Sequence, residues 1–248
     1  MVSRPVPAAS RAEAKSRRTA IVEADATDGR RPVRSRTMTR ILLIRHGESE
    51  WNALGRWQGQ ADPPLTELGR RQAKAAAANL GPVDVIAASD LERALVTATI
   101  ISAELGMGPV VADPGLRERD AGEWSGLTRS EIHRDWPGFL PDDPVVRGGP
   151  EPTTFRRPPG WEPDAQLLAR ALSALGRLAE RVGSGGEAIV VTHGGLVYAI
   201  EAHLGEPWVR LANLGARRLT LDRDRLELGE RLLLVDPHDV TVTTPGQI

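Results

Sequence analysis

Residues 41–52 read Ile-Leu-Leu-Ile-Arg-His-Gly-Glu-Ser-Glu-Trp-Asn and join an apolar run to a polar cluster. The apolar part, residues 41–44, is short and continuous, which is typical of a strand that is buried on both faces of a sheet. The polar part, residues 45–49, follows without a gap. Because ligand sites in open α/β sheets gather at the carboxyl ends of strands, this junction predicts both a fold class and a functional site.

Strand and helix patterns alternate from this segment to the end of the folded region. Further strands are predicted at 83–88, 188–191, 217–221 and 231–235, the last two joined by a short turn. Helices are predicted at 67–80, 90–105, 129–136, 165–182 and 196–204. The candidate helix N-caps are Thr66, Ser89, Asp164 and Thr128, the last in a capping box with Glu131. This alternation predicts an α/β fold, a three-layer sandwich with a mainly parallel central sheet flanked by helices.

Composition divides the 248 residues into three parts. Residues 1–37 hold nine basic and four acidic residues, a net charge of +5, and no aromatic residue, so we expect a disordered basic extension. Met38, directly before the first strand, is an alternative start. Residues 38–236 form the predicted folded domain, and residues 237–248 are a tail. Within the domain, eight of the 27 residues at 137–163 are proline, which predicts a long irregular lid.

Composition also excludes several classes of function. The absence of cysteine excludes disulfides, thiolate zinc sites and cysteine nucleophiles. No apolar run approaches the roughly 20 residues that a membrane-spanning helix needs. The net charge is -1, and the positive charge is concentrated outside the predicted domain, which does not favour nucleic-acid binding. We therefore expect a cytoplasmic protein without a membrane or nucleic-acid partner.

Polar clusters follow four of the apolar runs, at 45–49, 89–93, 116–118 and 192–195. The carboxyl ends of parallel strands lie along one edge of a sheet, so these clusters are expected to meet there. The side chains that this edge would bring together are Arg45, His46, Arg93, Glu118 and His193.

This set of side chains suits the transfer of a phosphoryl group. Guanidinium groups bind phosphate oxygens in a bidentate fashion and keep their charge. An imidazole attacks phosphorus only in its neutral form, which neighbouring cations favour by lowering its pKa. A second imidazole can donate a hydrogen bond to an equatorial oxygen. A glutamate in a closed site can protonate the leaving alkoxide if its pKa is raised.

Each of these residues also has a structural interpretation when it is taken alone. An Arg-His-Gly or His-Gly-Gly sequence after a strand can serve as a buried cap. Arg93 on a helix and Glu118 in a run of charges can both be solvated surface residues. The joint occurrence of the clusters, in order and each at a strand end, favours the catalytic interpretation.

Taken together, the motifs resemble the signature of the histidine phosphatase superfamily, which contains cofactor-dependent phosphoglycerate mutases and many phosphatases. The likeness spans residues 39–221 and is carried by the motifs at 42–52, 58–59, 64–69, 72–73, 89–98, 116–118, 122–127 and 191–195. The resemblance implies a phosphoglycerate mutase-like fold and an enzyme without a metal or other cofactor. The remaining histidines are isolated and are interpreted as structural or surface residues: His133, His203 and His238.

The resemblance also implies a role for each matched residue. His46 would be the phosphorylated nucleophile, and Glu118 would first donate a proton to the leaving group and then act as base for water. Four side chains would hold the phosphoryl group: Arg45, Asn52, Arg93 and His193. Three further positions would contact the substrate: Gln58, Gly59 and Gly194.

The sequence departs from the family pattern at the end of the lid, where residues 159–163 read Pro-Gly-Trp-Glu-Pro in place of the common Pro-Gly-Gly-Glu-Ser. Paired arginines, Arg156 and Arg157, are a mutase-like feature that could reach a second anionic group of the substrate, although a solvated pair is the alternative. Ala121 stands where the mutases have tyrosine, and Gly59-Gln60 replaces their Gly-Trp.

These departures favour a phosphatase acting on the phosphomonoester of a small metabolite. A phosphoglycerate mutase-type phosphoryl transferase stays open, as does a non-catalytic phospholigand-binding protein, whose members typically lose the nucleophile or the acid. The partner implied is a small phosphorylated substrate. The late strands offer an edge at which two copies could form a homodimer.

Overall fold

Six strands form one mixed sheet in the computed structural model, which describes residues 38–140, 156–222, 225–236 and 238. In chain order these are β1 (Thr39–Arg45), β2 (Val85–Ala88), β3 (Val111–Ala112), β4 (Glu187–Thr192), β5 (Gly215–Asp222) and β6 (Arg225–Leu233). Across the sheet they lie in the order β3-β2-β4-β1-β5-β6. β1 to β4 are parallel, whereas β5 pairs antiparallel with β1 and β6 antiparallel with β5. The predicted α/β fold is confirmed, with an antiparallel pair at one edge.

Helices pack on both faces of this sheet. Within the described residues they are α1 (Glu50–Ala53), α2 (Glu67–Ala77), α3 (Glu92–Glu104), α4 (Arg129–Asp135), α5 (Asp164–Val182) and α6 (Gly194–His203). Two short 3₁₀ helices, Pro114–Leu116 and Gly122–Trp124, lie between β3 and α4.

Alternate residues of the central strands contribute their side chains to two separate hydrophobic cores. Leu43 and Val190 point to the face covered by α5 and α6, where they pack with Leu175. Ile44 and its neighbours on β4 point to the opposite face, where they pack with the alanine-rich sides of α2 and α3. Because successive side chains of a strand point to opposite faces, continuous apolar strands require helices on both sides. The three layers follow directly from this pattern.

The helix boundaries confirm two of the predicted caps and correct two others. Thr66 and Thr128 cap α2 and α4, the latter with the predicted capping box. Ser89 accepts a hydrogen bond from the backbone N–H of Leu91 at 3.2 Å, but α3 begins only at Glu92. Asp164 is the first residue of α5 and Pro163 is its N-cap. The local hydrogen bond of Ser89 competes with the helix, which therefore starts later than the pattern indicates.

The last predicted strand, 231–235, was wrong in its position. β6 begins at Arg225, six residues earlier, and ends at Leu233. Its burial alternates along a largely exposed edge strand, so the polar first half carries no continuous apolar signal. The predicted extension 1–37, the lid residues 141–155 and all of the tail except His238 lie outside the described residues. In the part of the chain that is described, no helix has the length and apolar character to cross a membrane.

Two glycines let the first turn of α2 touch the loop after β1. A Cβ on Gly69 would lie 2.0 Å from the carbonyl oxygen of Glu48, and a Cβ on Gly47 would lie 2.5 Å from the carbonyl oxygen of Gly69. The backbones can approach this closely only because neither residue has a side chain. This contact positions the loop that carries His46.

We expect Gly69→Ala to lower the free energy of unfolding by about 1–3 kcal/mol, because the backbone must shift to accommodate the methyl group. Gly176→Ala in α5 is the matched control, since a Cβ there meets nothing within 4 Å. It should raise the free energy of unfolding by about 0.5–1 kcal/mol through its better helix propensity. Urea denaturation of both variants measures the difference, and equal effects would contradict the close contact.

Candidate active site

The parallel pairing of β1 with β4 brings two histidines together. Arg45 lies opposite Thr192 in the register, so His46 and His193 each follow directly after neighbouring strand ends. The backbone N–H of His46 continues the ladder by donating to the carbonyl of Thr192 at 2.9 Å. The two imidazole rings meet edge to face, with centroids 5.1 Å apart and an interplanar angle of 61°.

The protonation of His46 is set by one backbone contact. Its Nδ1 lies 2.6 Å from the carbonyl oxygen of Gly47, and because a carbonyl only accepts, Nδ1 must carry the proton. In the neutral ring the lone pair is then on Nε2. Burial lowers the pKa of His46 well below its ordinary value of 6.5, and the cations Arg93 and Arg45 lower it further. His46 is therefore a neutral imidazole with an available nitrogen near neutral pH.

His193 is fully buried, and neither ring nitrogen has a hydrogen-bond partner among the residues that the structure describes. Its pKa is also well below 6.5, first because of burial and then because of Arg93 and His46. A buried polar group without a partner is costly unless a ligand supplies one. His193 thus offers one donor and one acceptor to a group bound beside His46.

Arg93 is fully buried at the start of α3. Its Nη1 and Nη2 donate to the carbonyl oxygens of Ala61 and Gly59 at 2.7 and 2.8 Å, while its Nε has no partner within the described chain. Burial lowers the pKa of Arg93 to about 10, and Glu118 opposes this effect. The side chain stays charged at neutral pH, and the carbonyls fix its orientation.

Arg45 and Asn52 are held by the segment that precedes β5. Arg45 Nη1 donates to the carbonyl of Leu211 at 2.5 Å. Asn213 Nδ2 lies 2.8 Å from the carbonyl oxygen of His46 and 3.3 Å from Oδ1 of Asn52. Asn52 Oδ1 also accepts from the N–H of Ser49 at 3.2 Å. With its oxygen engaged in this way, Asn52 directs only its NH₂ group to a ligand.

The predicted substrate-contact positions line the same region. Gln58 accepts a hydrogen bond from Ser49 Oγ at 2.9 Å, and the carbonyl of Gly59 binds Arg93. Gly59 has a φ of 52°, which favours glycine. A Cβ on Gly194 would lie 3.4 Å from the ring of Tyr198, an ordinary van der Waals contact, so the start of α6 lies beside that ring.

Glu118 is anchored by two backbone N–H groups. Its Oε2 accepts from Gly195 at 3.0 Å and its Oε1 accepts from Arg119 at 2.8 Å. A Cβ on Gly195 would lie 2.3 Å from Oε1, so a side chain at position 195 would force Glu118 into another rotamer. The first turn of α6 therefore places Glu118 next to His193.

The loop that carries Glu118 is tied to both neighbouring strand ends. Thr192 Oγ1 donates to the carbonyl of Leu116 at 2.8 Å. Arg117 forms a two-point ion pair with Asp90, at 2.7 and 2.6 Å, which holds the pKa of Asp90 below its usual range. All four predicted clusters are thus joined at one edge of the sheet.

Arg170 on α5 is a residue that sequence analysis missed. It donates to the carbonyls of Gly115, Arg117 and Glu118 at 3.0, 2.6 and 2.8 Å. It also pairs with both oxygens of Glu162 at 2.7 Å. All five N–H groups of the guanidinium are therefore used. In the sequence, nothing distinguishes Arg170 from the exposed arginines of the same helix.

The paired arginines at the end of the lid lie against aromatic rings. The guanidinium of Arg156 lies 4.4 Å from the ring centroid of Phe139, and that of Arg157 lies 4.8 Å from Trp161. Trp161, which replaces a family glycine, packs against Trp57 and Trp124. Glu162 keeps its place in the motif and holds Arg170. The proposed contact of the arginine pair with a second anion stays a prediction.

Among the described residues, no group of three histidine, cysteine, aspartate or glutamate side chains is arranged to hold a metal ion. The converging groups are two neutral imidazoles, two guanidiniums and one carboxyl group. Their shared preference is for a tetrahedral oxyanion such as a phosphate, since guanidinium and imidazole N–H groups both match its oxygens.

We expect the two buried imidazoles to make stability depend on pH. Their folded pKa values lie below 6.5, so below pH 6.5 the unfolded chain binds more protons than the folded one. Stability is full above that pH and falls below it, by up to about 1.4 kcal/mol per pH unit for each histidine. Urea unfolding between about pH 5 and pH 7 measures this slope. His193→Gln should reduce it, and a variant of the exposed His203 should not.

Comparison with known proteins gives the site a family. A model of the histidine phosphatase superfamily (branch 1) matches residues 41–228. A glucosyl-3-phosphoglycerate phosphatase of Mycolicibacterium vanbaalenii is 36% identical over 188 residues, covering 71% of this chain and 80% of that protein. A metal-independent phosphoserine phosphatase of Arabidopsis thaliana is 38% identical over 169 residues, covering 66% and 67%.

A solved structure agrees with these relatives. The mycobacterial glucosyl-3-phosphoglycerate phosphatase in complex with VO₃ superimposes with a TM-score of 0.64 and 31% identity, covering 78% of this chain and 97% of that one. The matched family region includes every strand that contributes to the site and both histidines. The chain therefore belongs to branch 1 of the histidine phosphatase superfamily.

Proposed function

We propose that this protein is a metal-independent phosphatase that hydrolyses the phosphomonoester of a small metabolite through a phosphohistidine on His46. The observation that carries the proposal is the pair of buried neutral imidazoles, His46 and His193, with ring centroids 5.1 Å apart. Both are within electrostatic reach of Arg45 and Arg93. Nucleophilic attack on a dianionic phosphate requires a neutral nucleophile and a fixed positive charge near the phosphate oxygens.

Binding of the phosphoryl group uses donors that are already oriented. Arg45 and Arg93 supply charge, Asn52 supplies its NH₂ group, and His193 supplies a ring N–H. Because backbone carbonyls hold both guanidiniums, little reorganisation accompanies the reaction. These donors stabilise the charge that spreads over the equatorial oxygens in the transition state.

In the first step the lone pair on Nε2 of His46 forms a bond to phosphorus, and the bond from phosphorus to the ester oxygen breaks. The electron pair of that bond leaves with the alkoxide, which takes the proton of Glu118. The ring of His46 becomes positively charged, and its Nδ1–H remains bound to the carbonyl of Gly47. This hydrogen bond strengthens as the ring gains charge and so stabilises the intermediate.

In the second step Glu118, now a carboxylate, removes a proton from water. The oxygen of that water forms a bond to phosphorus while the N–P bond breaks, and the electron pair returns to Nε2 of His46. Inorganic phosphate leaves, and both His46 and Glu118 regain their starting protonation. One residue serves as acid and then as base, as microscopic reversibility allows.

The substrate class is inferred from the relatives. One acts by name on glucosyl-3-phosphoglycerate and another on phosphoserine, both small phosphate monoesters. We place the substrate of this chain in that class and the reaction in the cytoplasm, where such metabolites are made. A homodimer is supported by β6, whose outer edge pairs with no strand among the described residues and is where a second copy could add.

Water rather than a second substrate hydroxyl is the better acceptor at this site. Ala121 is buried against Gly59, where a Cβ on the glycine would lie 2.7 Å from the backbone nitrogen of Ala121. The tyrosine expected there in a mutase is absent, which favours hydrolysis over the mutase alternative. Measuring whether the phosphate is free or transferred distinguishes the two reactions.

A phosphorylated enzyme should accumulate when the protein is mixed with a labelled phosphate ester and quenched. The bound phosphate is expected to be labile in acid and stable in base, as a phosphoramidate is. His46→Ala should retain no label, because the attacking nitrogen is lost. A variant of His203, which lies exposed at the end of α6, should label as the wild type does. Equal labelling of the His46 variant would refute the proposed nucleophile, and an unlabelled wild type would favour a phospholigand-binding protein.

Arg170 is expected to position Glu118 through the carbonyls that it binds. Arg170→Met should therefore lower kcat by about 10- to 100-fold on an alkyl phosphate, whose leaving group needs a proton. It should lower kcat much less on p-nitrophenyl phosphate, whose leaving group departs unprotonated. Arg177→Met on the exposed side of the same helix is the control, since Arg177 pairs with Asp113 and donates to none of the carbonyls that Arg170 binds. Equal losses on both substrates would show a general structural role instead.

A further inference from the structure

Arg210 lies in the loop between α6 and β5, immediately before the residue that binds Arg45. The carbonyl of Leu211 accepts from Arg45 Nη1 at 2.5 Å, and the N–H of Leu211 donates to the hydroxyl of Tyr198 at 2.8 Å. Tyr198 in turn packs against Gly194 in the first turn of α6. Arg210 is thus fixed to the same short segment that orients one of the phosphate-binding cations.

Among the described residues, the guanidinium of Arg210 has no counter-ion. Its Nη2 is buried without a hydrogen-bond partner, and no ion pair joins this side chain to any residue that the structure describes. Burial lowers the pKa of Arg210, and the neighbouring charge of Arg45 lowers it further. Two guanidiniums therefore repel each other at this point, and no described carboxylate compensates them.

Nearby arginines follow a different pattern. Arg217 on β5 lies 3.5 Å from Glu201 and 3.2 Å from Glu206, and Arg231 on β6 also pairs with Glu201. On the other side of the site, Arg170 pairs with Glu162. A buried cation is costly unless it is paired, and the fold supplies an acid in each of these cases. Arg45 and Arg210 are left without one.

The bound phosphoryl group would supply the negative charge that compensates the guanidinium of Arg45. Arg210 then needs an anion of its own, next to but distinct from the phosphate. We propose that Arg210 forms a subsite for a carboxylate on the substrate, so that the enzyme prefers phosphomonoesters that carry a carboxylate close to the phosphate. This assignment rests on the proposed phosphatase function.

A carboxylate fits this subsite better than a second phosphate. One guanidinium balances one negative charge, and its parallel N–H groups match the two oxygens of a carboxylate. A second phosphate would bring close to two negative charges at neutral pH. The rival position for a second anion is the pair Arg156 and Arg157, whose guanidiniums already lie on the rings of Phe139 and Trp161.

The test compares 3-phosphoglycerate with glycerol 3-phosphate, which differ only in a carboxylate replaced by CH₂OH. The quantity measured is the ratio of kcat/KM for the first substrate to kcat/KM for the second. Arg210→Met should lower this ratio by about tenfold or more, as expected for the loss of one charge-assisted hydrogen-bonded pair. Arg210→Lys should lower it less, because it keeps the charge. The double variant Arg156→Met with Arg157→Met tests the rival position. Arg218→Met, an exposed arginine paired with Glu230, is the matched control and should keep the wild-type ratio.

Three outcomes would overturn the proposal. An unchanged ratio would show that no carboxylate contacts Arg210. Equal losses on both substrates would assign Arg210 to the phosphate itself. A ratio that falls only in the double variant would move the subsite to the lid arginines.

Folding and function are tested separately. If Arg210→Met does not fold, the wild-type protein decides. With inorganic phosphate at a saturating concentration to occupy the phosphate site, D-glycerate should bind at least about tenfold more tightly than glycerol in a calorimetric titration, and equal binding would refute the subsite. If the wild type hydrolyses neither phosphate ester, the proposed phosphatase function fails for this class of substrates. The titration with D-glycerate and glycerol then tests the carboxylate subsite independently of phosphatase activity.

Discussion

The parallel pairing of β1 with β4 is the contact on which the site depends. With Arg45 opposite Thr192, the chain leaves two adjacent strands at the same level and places an imidazole after each. A shift of this register by one residue would turn every apolar side chain of β1 to the wrong layer, so the two cores also fix the distance between the histidines. The burial of the two faces of the sheet therefore also fixes the relative positions of the groups in the site.

Burial and charge act on the site in the same direction. Desolvation keeps His46 and His193 neutral, and the buried guanidiniums of Arg45 and Arg93 reinforce that effect. The cations would be unfavourable in isolation, and the protein stabilises them with backbone carbonyls, to which is added for Arg93 a long ion pair with Asp62 at 3.9 Å. This choice leaves their charge available to a bound anion.

Sequence patterns predicted the site residues that lie at strand ends. They did not predict the residues that reach the site only through contacts between distant segments. His46, Arg93, Glu118 and His193 each follow an apolar run, so a parallel sheet was enough to bring them together. Arg170 and Asn213 hold the same site from positions 52 and 167 residues away from their partners, and nothing local marks them. The polar first half of β6 was missed for a related reason, because an exposed edge strand lacks the continuous apolar signal. At Ser89 the pattern indicated a structure that does not form there. Its side chain accepts a hydrogen bond from the N–H of Leu91, but the helix begins only at Glu92.

The contact between Gly195 and Glu118 bears on how members of this superfamily are recognised. Any side chain at position 195 would occupy the space of a carboxylate oxygen, since a Cβ there lies 2.3 Å from it. A homologue with a larger residue at this position would have to hold the carboxyl group in another rotamer, so the placement of the acid can differ between members that all retain it. The residue at this position should therefore be read together with the acid when two members of the superfamily are compared.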